Sequence, residues 1–425
     1  MKVSALLAAL FFLLAAPFCS AYSFLTHETM IDIAWDTSIK PVLLAHYPGA
    51  TPAQLRLAHA YAYGGSTIQD AGYYPFGHPI FSDLTHYVRT GDFITNLIHE
   101  SHNINELAFS LGALSHYVGD TVGHKDAVNV SVPMEFPALE KKYGPVVTYE
   151  ENEHAHVRTE FAFDIDQLSH ARFAPAAYLR HVGFKVPRGL LERAFYATYG
   201  ISLHSLLGRS ETVNFGAYAW AVRQFLPRFA FAEVLIHKKG FPPDSNLPDF
   251  QEFAQRLKTA DTINGWEKYR KHKASWQTRL VAFVVIITPR IGPLSDLAIR
   301  GPMPETEENY VASVLRATDE YSKMLAQLAQ KPKDGFSVPD LDLDTGYPSR
   351  PGTYRLTDET YAKLLARVTA QSAMPPLGLR RNILAFYSNP NAPITTKRHP
   401  REWAKVQKEL AVLRAMPATR IPNVK

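Results

Sequence analysis

Leu107, Leu111, Leu114 and Val118 recur at three- and four-residue spacing, which predicts an amphipathic helix over Glu106 to Asp120. Glu28 to Leu44 and Glu151 to Phe163 read as helices as well. Between them, Gly64 to Asp83 contains Gly64, Gly65, Gly72, Pro75, Gly77 and Pro79 and reads as a structured loop rather than a regular element. Further helical patterns follow from Pro187 to Gln330, among them Leu190 to Tyr199 and Ala217 to His237. No stretch sustains the alternation of a strand, and no internal repeat is present. The expected fold class is therefore all-α, with one multi-helix domain over residues 22–330. The pattern weakens from Lys331 onward. Asp334 to Pro351 is rich in Asp, Pro and Gly and suggests an extended connection, followed by two short helices near Asp358 to Thr369 and Arg401 to Ala415. Residues 331–425 are read as an irregular, Pro-rich C-terminal extension.

Two apolar runs bear on the compartment. Lys2 precedes the run Ala5 to Phe18, which ends in Cys19-Ser20-Ala21. That is the pattern of a secretory signal peptide over residues 1–21, with cleavage after Ala21 and export to a periplasmic or secreted location. A membrane anchor is the alternative, but the run is shorter than the roughly 20 residues that span a bilayer. Phe18 is too bulky for a lipidated-cysteine signal. Leu280 to Ile287, bounded by Arg279 and Arg290, is shorter still. It suits a buried helix or, alternatively, a contact with a lipid surface.

Charge and cysteine narrow the chemistry. The net charge of +5 falls to +4 once Lys2 is removed, too mild to argue for nucleic acid. The tail from Asn391 to Lys425 has eight Lys/Arg against Glu402 and Glu409, a solvated basic helix or a contact for an anionic surface. Cleavage after Ala21 removes Cys19, the single cysteine. The mature chain then has no disulfide and no thiolate ligand, so a metal must be held by histidine, carboxylate or backbone groups.

Eleven of the seventeen histidines lie between His27 and His156. In His116-Tyr-Val-Gly-Asp120-Thr-Val-Gly-His124, three candidate ligands share one helical face. The two histidines are about 12 Å apart along a helix, and zinc–ligand bonds are about 2 Å, so one ion does not bind both. If all three are ligands, at least two metals are needed, and Asp120 is placed to bridge them. His156 and Glu160 form a second pair at four-residue spacing. His154 competes with His156, but its partner at that spacing, Arg158, does not ligate. Cleavage would create a free amine at Tyr22, five residues before His27. Asp70 and His86 are further candidates whose spacing is not diagnostic alone. A single histidine is more often a satisfied polar residue, the reading preferred for His46, His59, His99, His102 and His170. A zinc protease is disfavoured, because His99-Glu-Ser-His102 lacks the spacing of His-Glu-x-x-His. No Gly-x-Ser-x-Gly elbow occurs either.

Taken in order, these motifs resemble the zinc-dependent phospholipase C family, whose fold is shared with single-strand-specific zinc nucleases. The resemblance covers Tyr22 to Glu160. It implies three zinc ions: the first on Asp70, His86, His116 and Asp120; the second on His124, His156 and Glu160; the third on the Tyr22 amine and carbonyl, His27 and a bridging Asp120. Tyr22 stands where the family usually has tryptophan. The four-residue step from Asp120 to His124 is shorter than in bacterial phospholipases C and the nucleases, and is similar to that of glycosylphosphatidylinositol-specific phospholipase D. The nucleases usually carry disulfides, which the mature chain lacks.

The implied activity is zinc-dependent phosphodiester hydrolysis. Paired zinc ions lower the pKa of a bound water and make it a nucleophile at neutral pH, with Asp70 as the candidate to orient or deprotonate it. Three functions remain open. The first is phospholipase C-type cleavage of phospholipid, with contact at a membrane surface. The second is nuclease or 3′-nucleotidase action on single-stranded nucleic acid. The third is a non-catalytic zinc-binding role. The aromatic loop Tyr73-Tyr74-Pro75-Phe76, with Ile80-Phe81, would seat acyl chains or bases if exposed, or form a loop core if buried.

Overall fold

The repeat through Leu107, Leu111, Leu114 and Val118 lies on a helix that runs from Ile104 to Gly123, longer at both ends than the pattern predicts. Asn103 caps its start, its side-chain oxygen accepting from the Asn105 and Glu106 amides. Every residue from Leu107 to Gly123 is buried, so other helices surround this one on all sides. The computed structural model describes residues 22–74, 77–208, 211–236, 245–270, 301–330, 332–371 and 373–419. The expected signal peptide, the Leu280 to Ile287 run and Pro75-Phe76 lie outside the described residues. Among the described residues the fold is all-α: there are helices and two isolated bridges, and no strand. No described helix is long and apolar enough to cross a membrane.

Eight helices frame the site: α1 (Phe24–Ala34), α2 (Pro52–Gly65), α3 (Pro79–Tyr87), α4 (Thr90–His99), α5 (Ile104–Gly123), α6 (Glu153–Ser169), α7 (Pro304–Gln330) and α8 (Arg355–Ala370). The contact of α2 with α5 depends on missing side chains. A Cβ on Gly112 would stand 2.1 Å from the Ala62 carbonyl oxygen, and one on Gly65 would stand 2.0 Å from that of Phe109. The two backbones therefore touch, which brings the end of α2 down onto His116. Gly112→Ala must push them apart. We expect it to cost about 1–3 kcal/mol of stability in denaturant unfolding; a change below about 0.5 kcal/mol would show that the helices are not held at this distance.

These glycines also correct the expectation for Gly64 to Asp83. Gly64 and Gly65 are the last turn of α2, Gln69–Gly72 is a short 3-10 turn, and Pro79 opens α3. Glycine here marks close backbone approach rather than irregular chain, since a Cβ on Gly64 would likewise meet the Lys185 carbonyl at 1.9 Å. The expected helix from Glu28 to Leu44 is interrupted by a π-helical turn over Trp35–Ile39.

The C-terminal residues are more helical than their prolines suggest. Besides α8 and the helix Pro400–Ala415, both near their expected places, Leu377–Phe386 is a helix that the sequence pattern did not reveal. The extended connection after Asp334 is observed, crossed only by the Leu341–Pro348 bridge, and it runs over α4, α3 and the end of α5.

Candidate metal centre

Three histidines show how the chain builds the site. The ring Nδ1 of His116 lies 3.0 Å from the Ser66 carbonyl, that of His86 2.8 Å from the Ser82 carbonyl, and that of His124 2.9 Å from the Leu343 carbonyl. A carbonyl only accepts, so each Nδ1 carries the proton and each Nε2 turns inward as a lone pair when the ring is neutral. Metal-ligating histidines are held in this way by their second nitrogen.

What these Nε2 atoms face is carboxylate. His86 Nε2 is 3.3 Å from Asp70 Oδ1 and 3.5 Å from Asp120 Oδ2, while His116 Nε2 is 3.8 Å and 3.0 Å from the same oxygens. All four residues are buried. Yet none of these Nε2 and carboxylate oxygen atoms has a hydrogen-bond partner. Protonated histidines in ordinary ion pairs would aim N–H at oxygen. Here the atoms are near one another but make no hydrogen bonds. A tetrahedral zinc site with bonds of about 2.0–2.2 Å has ligand atoms about 3.4 Å apart, which matches the spacing. Buried polar atoms without partners are costly, and a cation held among the four residues would satisfy one donor atom of each.

A second cluster joins the end of α5 to α6. His124 Nε2 is 3.8 Å from Glu160 Oε1, and His156 Nδ1 is 2.8 Å from the same oxygen. His156 Nε2 lies 2.8 Å from Asn129 Oδ1. With its Nε2 proton given to Asn129, His156 presents Nδ1 as a lone pair to a carboxylate, an arrangement that needs a proton or a metal between them. Donor atoms of His124, His156 and Glu160 all lie within 4.8 Å of one another, as do those of Asp70, His86, His116 and Asp120. His154, the competitor of His156, is exposed.

Asp120 also faces α1, where its Oδ1 is 3.3 Å from His27 Nε2. His27 stacks on the His116 ring at 4.3 Å between centroids. Two glycines of α5 make room for this N-terminal segment. A Cβ on Gly119 would stand 3.3 Å from the His27 ring, and one on Gly123 would stand 2.6 Å from the Tyr22 ring. The Tyr22 ring lies edge-on to His27 and its hydroxyl is 2.7 Å from Ser313 Oγ on α7. Asp164 of α6 fastens the start of α1, accepting from the Leu25 and Thr26 amides at 2.9 and 3.1 Å and from the Thr26 hydroxyl at 2.6 Å. Burial raises the Asp164 pKa to about 6, with these hydrogen bonds pulling the other way.

The titration behaviour shows the same demand for cations. Burial works against charge on the histidines, but Asp120 and Asp70 overcome it at His86, whose pKa is well above the ordinary value, and at His116, where it is raised. At His27 burial prevails, helped by His116, and the pKa falls. Burial also opposes ionisation of Asp120, yet the surrounding histidines hold its pKa well below normal. Around the second cluster, burial and then His124 depress His156, while burial and then Asp120 and Asp70 raise Glu160 well above the carboxylate range.

The profile of the family described as zinc dependent phospholipase C matches residues 26–208. Residues 26–208 are similar to the zinc-dependent phospholipase C family. The match takes in both buried clusters and His27, and stops well before α7 and the C-terminal residues. No curated protein and no solved structure matches the chain.

Several other residues of the matched region take ordinary roles. His59 pairs with Asp32 at 3.1 Å and stacks on Trp35, and His46, His99 and His170 lie against the carbonyls of Leu328, Phe336 and Asp166. Tyr73, Tyr74, Ile80 and Phe81 are buried, so these aromatics form a loop core and do not offer an open face to acyl chains or bases. Four groups at the site escaped sequence reasoning: Asn129, Asp164, Leu343 and Asp344. Asn129 and Asp164 gave no signal. Asp344 belongs to the alternating Asp340-Leu-Asp342-Leu-Asp344, which does attract notice.

Proposed function

We propose that this protein is an exported phospholipid phosphodiesterase of the phospholipase C type, holding three zinc ions. The observation that carries this reading is the first cluster: four buried residues whose unpartnered donor atoms all lie within 4.8 Å of one another. In this reading Asp70, His86, His116 and Asp120 hold the first ion, and His124, His156 and Glu160 hold the second. Asp120 bridges towards His27. Removal of residues 1–21 on export would free the Tyr22 amine, and that amine and the Tyr22 carbonyl would make a third site with His27.

Zinc bound by these donors would polarise the phosphoryl oxygens and bring a bound water near neutral pKa. The chain supplies the rest. The carbonyls of Ser66, Ser82 and Leu343 fix the tautomers of His116, His86 and His124. Asp70 has both oxygens without a hydrogen bond; one is placed to bind metal and the other to hold the proton taken from an attacking water. Burial excludes bulk water, which strengthens each charge interaction within the site. The product from phospholipid would be diacylglycerol and a phosphorylated head group.

The test is a substrate panel with the mature, zinc-loaded protein, using phospholipid vesicles, single-stranded DNA and a 3′-nucleotide, with bound zinc quantified in the same samples. Diacylglycerol release is expected. Turnover of nucleic acid alone would replace the lipid assignment by a nuclease. Full zinc content with no turnover of any phosphodiester would make the clusters structural.

A further inference from the structure

Residues 339–346 lie outside the family match, yet most of them are tied to α4 or to the candidate-ligand helices α3 and α5. Tyr117 donates to the Pro339 carbonyl at 2.7 Å, and the Asp92 amide to Asp340 Oδ1 at 3.0 Å. Thr90 Oγ1 donates to the Leu341 carbonyl at 2.6 Å and accepts from the Leu341 amide at 3.0 Å. Gly91 has no side chain where the segment crosses α4; a Cβ there would stand 2.1 Å from the Pro339 carbonyl. At the far end Gly346 turns with φ of +67°, and a Cβ on it would meet the Thr121 carbonyl of α5 at 2.3 Å.

Leu343 and Asp344, at the centre, reach both clusters. The Leu343 amide donates to the carbonyl of His86 at 3.0 Å, and its own carbonyl accepts from His124 Nδ1 at 2.9 Å. The Asp344 carbonyl accepts from Asn129 Nδ2 at 2.8 Å, and Asn129 in turn accepts from His156. The Asp344 side chain is the anchor: its Oδ2 accepts from Tyr87 at 2.9 Å and from Tyr354, just before α8, at 2.6 Å, and its Oδ1 stands 3.9 Å from His124 Nδ1. Tyr87 follows His86 directly in the chain. One buried carboxylate thus joins the C-terminal residues to the neighbours of His86 and His124.

We propose that Asp340–Gly346 is a positioning strap, anchored by Asp344, that sets His124 as an Nε2 ligand, holds the backbone of His86 in place and so controls zinc occupancy. The proposal rests on the zinc reading above. None of these residues touches substrate; they act through the histidines. Losing an outer partner of a ligating histidine typically costs 10–100-fold in metal affinity, and the loss here falls chiefly on the site of His124, His156 and Glu160.

The test compares the mature wild-type protein with Asp344→Ala, Tyr354→Phe and Arg380→Ala. Arg380 donates to the Leu413 and Arg414 carbonyls, so its loss perturbs the C-terminal helices without touching the strap. Zinc affinity is read by competition with a chromogenic chelator, and ligand geometry by the visible spectrum of the cobalt-substituted protein. Asp344→Ala should weaken one site by about 10–100-fold and alter the cobalt spectrum. Tyr354→Phe, which removes one hydroxyl and should fold normally, should shift both readouts in the same direction by less. Arg380→Ala should match wild type in both. Excess zinc should restore activity to the strap variants. Unchanged zinc affinity in a folded Tyr354→Phe and Asp344→Ala would overturn the strap. An equal loss in Arg380→Ala would also overturn it, since the effect would then be general destabilisation. Absence of zinc from the wild type would instead overturn the metal reading itself.

Discussion

Asp120→Ala should abolish phosphodiester hydrolysis, with a loss of at least about 1,000-fold in kcat/KM. That corresponds to about 4 kcal/mol of lost transition-state stabilisation, the scale expected when a metal site is dismantled. Asp120 joins the first cluster to His27: Oδ2 faces His86 and His116, and Oδ1 faces His27. Its removal leaves three imidazoles without their common carboxylate. Zinc content measured by mass spectrometry should fall along with activity. The fold should survive, because alanine favours the helix and the site spans one turn of a long α5. His116→Ala should show the same pairing of lost activity and lost zinc with smaller disruption, since Asp120 keeps His27 and His86. Wild-type turnover in either variant would remove the clusters from the chemistry.

Chelation should lower thermal stability steeply, and the midpoint should recover on adding zinc. A ligand present at 1,000 times its dissociation constant stabilises the native state by about 4 kcal/mol per site. Without a cation the buried donors must share protons or face one another unpaired, so two or three sites together make a shift of about 10 °C or more a reasonable expectation for a domain of this size. The sign of the pH dependence follows from the cluster. Carboxylates hold the His86 pKa well above normal against burial, and burial raises that of Glu160. Both groups therefore keep protons in the metal-free protein where free residues would have lost them. Zinc must displace those protons, so its affinity should rise with pH and fall as the solution is acidified, from a point above the ordinary histidine range. Zinc titrations across that range, with midpoints from differential scanning fluorimetry, check both parts. An apo protein as stable as the zinc form, or an affinity that does not change with pH, would contradict them.

The candidate ligands are legible in the sequence because their chemistry is periodic. Histidine and carboxylate at four-residue steps on α5 and α6 announce themselves, and the 12 Å between His116 and His124 already requires two centres. The glycines were seen but misread. At Gly64 and Gly65 the composition reads as loop, whereas they permit backbones to touch inside a helical crossing, and only the partner helix reveals which role applies. The strap was illegible for a different reason. Leu343 acts through its carbonyl and amide, groups that every residue has, so no side-chain pattern marks the contact with His124. The Ser66 and Ser82 carbonyls were hidden in the same way. The helix Leu377–Phe386 was missed because neighbouring prolines suggested irregular chain. The buried Tyr73 and Tyr74 illustrate a further limit, since an aromatic run has the same composition whether it faces solvent or core.

All of these expectations depend on the two buried groups of histidine and carboxylate enclosing divalent metal. Anomalous X-ray scattering at the zinc edge from crystals of the cleaved, zinc-supplemented protein locates such ions directly. The account predicts one peak among Asp70, His86, His116 and Asp120, and another among His124, His156 and Glu160. Fully ordered side chains at these positions with no anomalous density between them would contradict it.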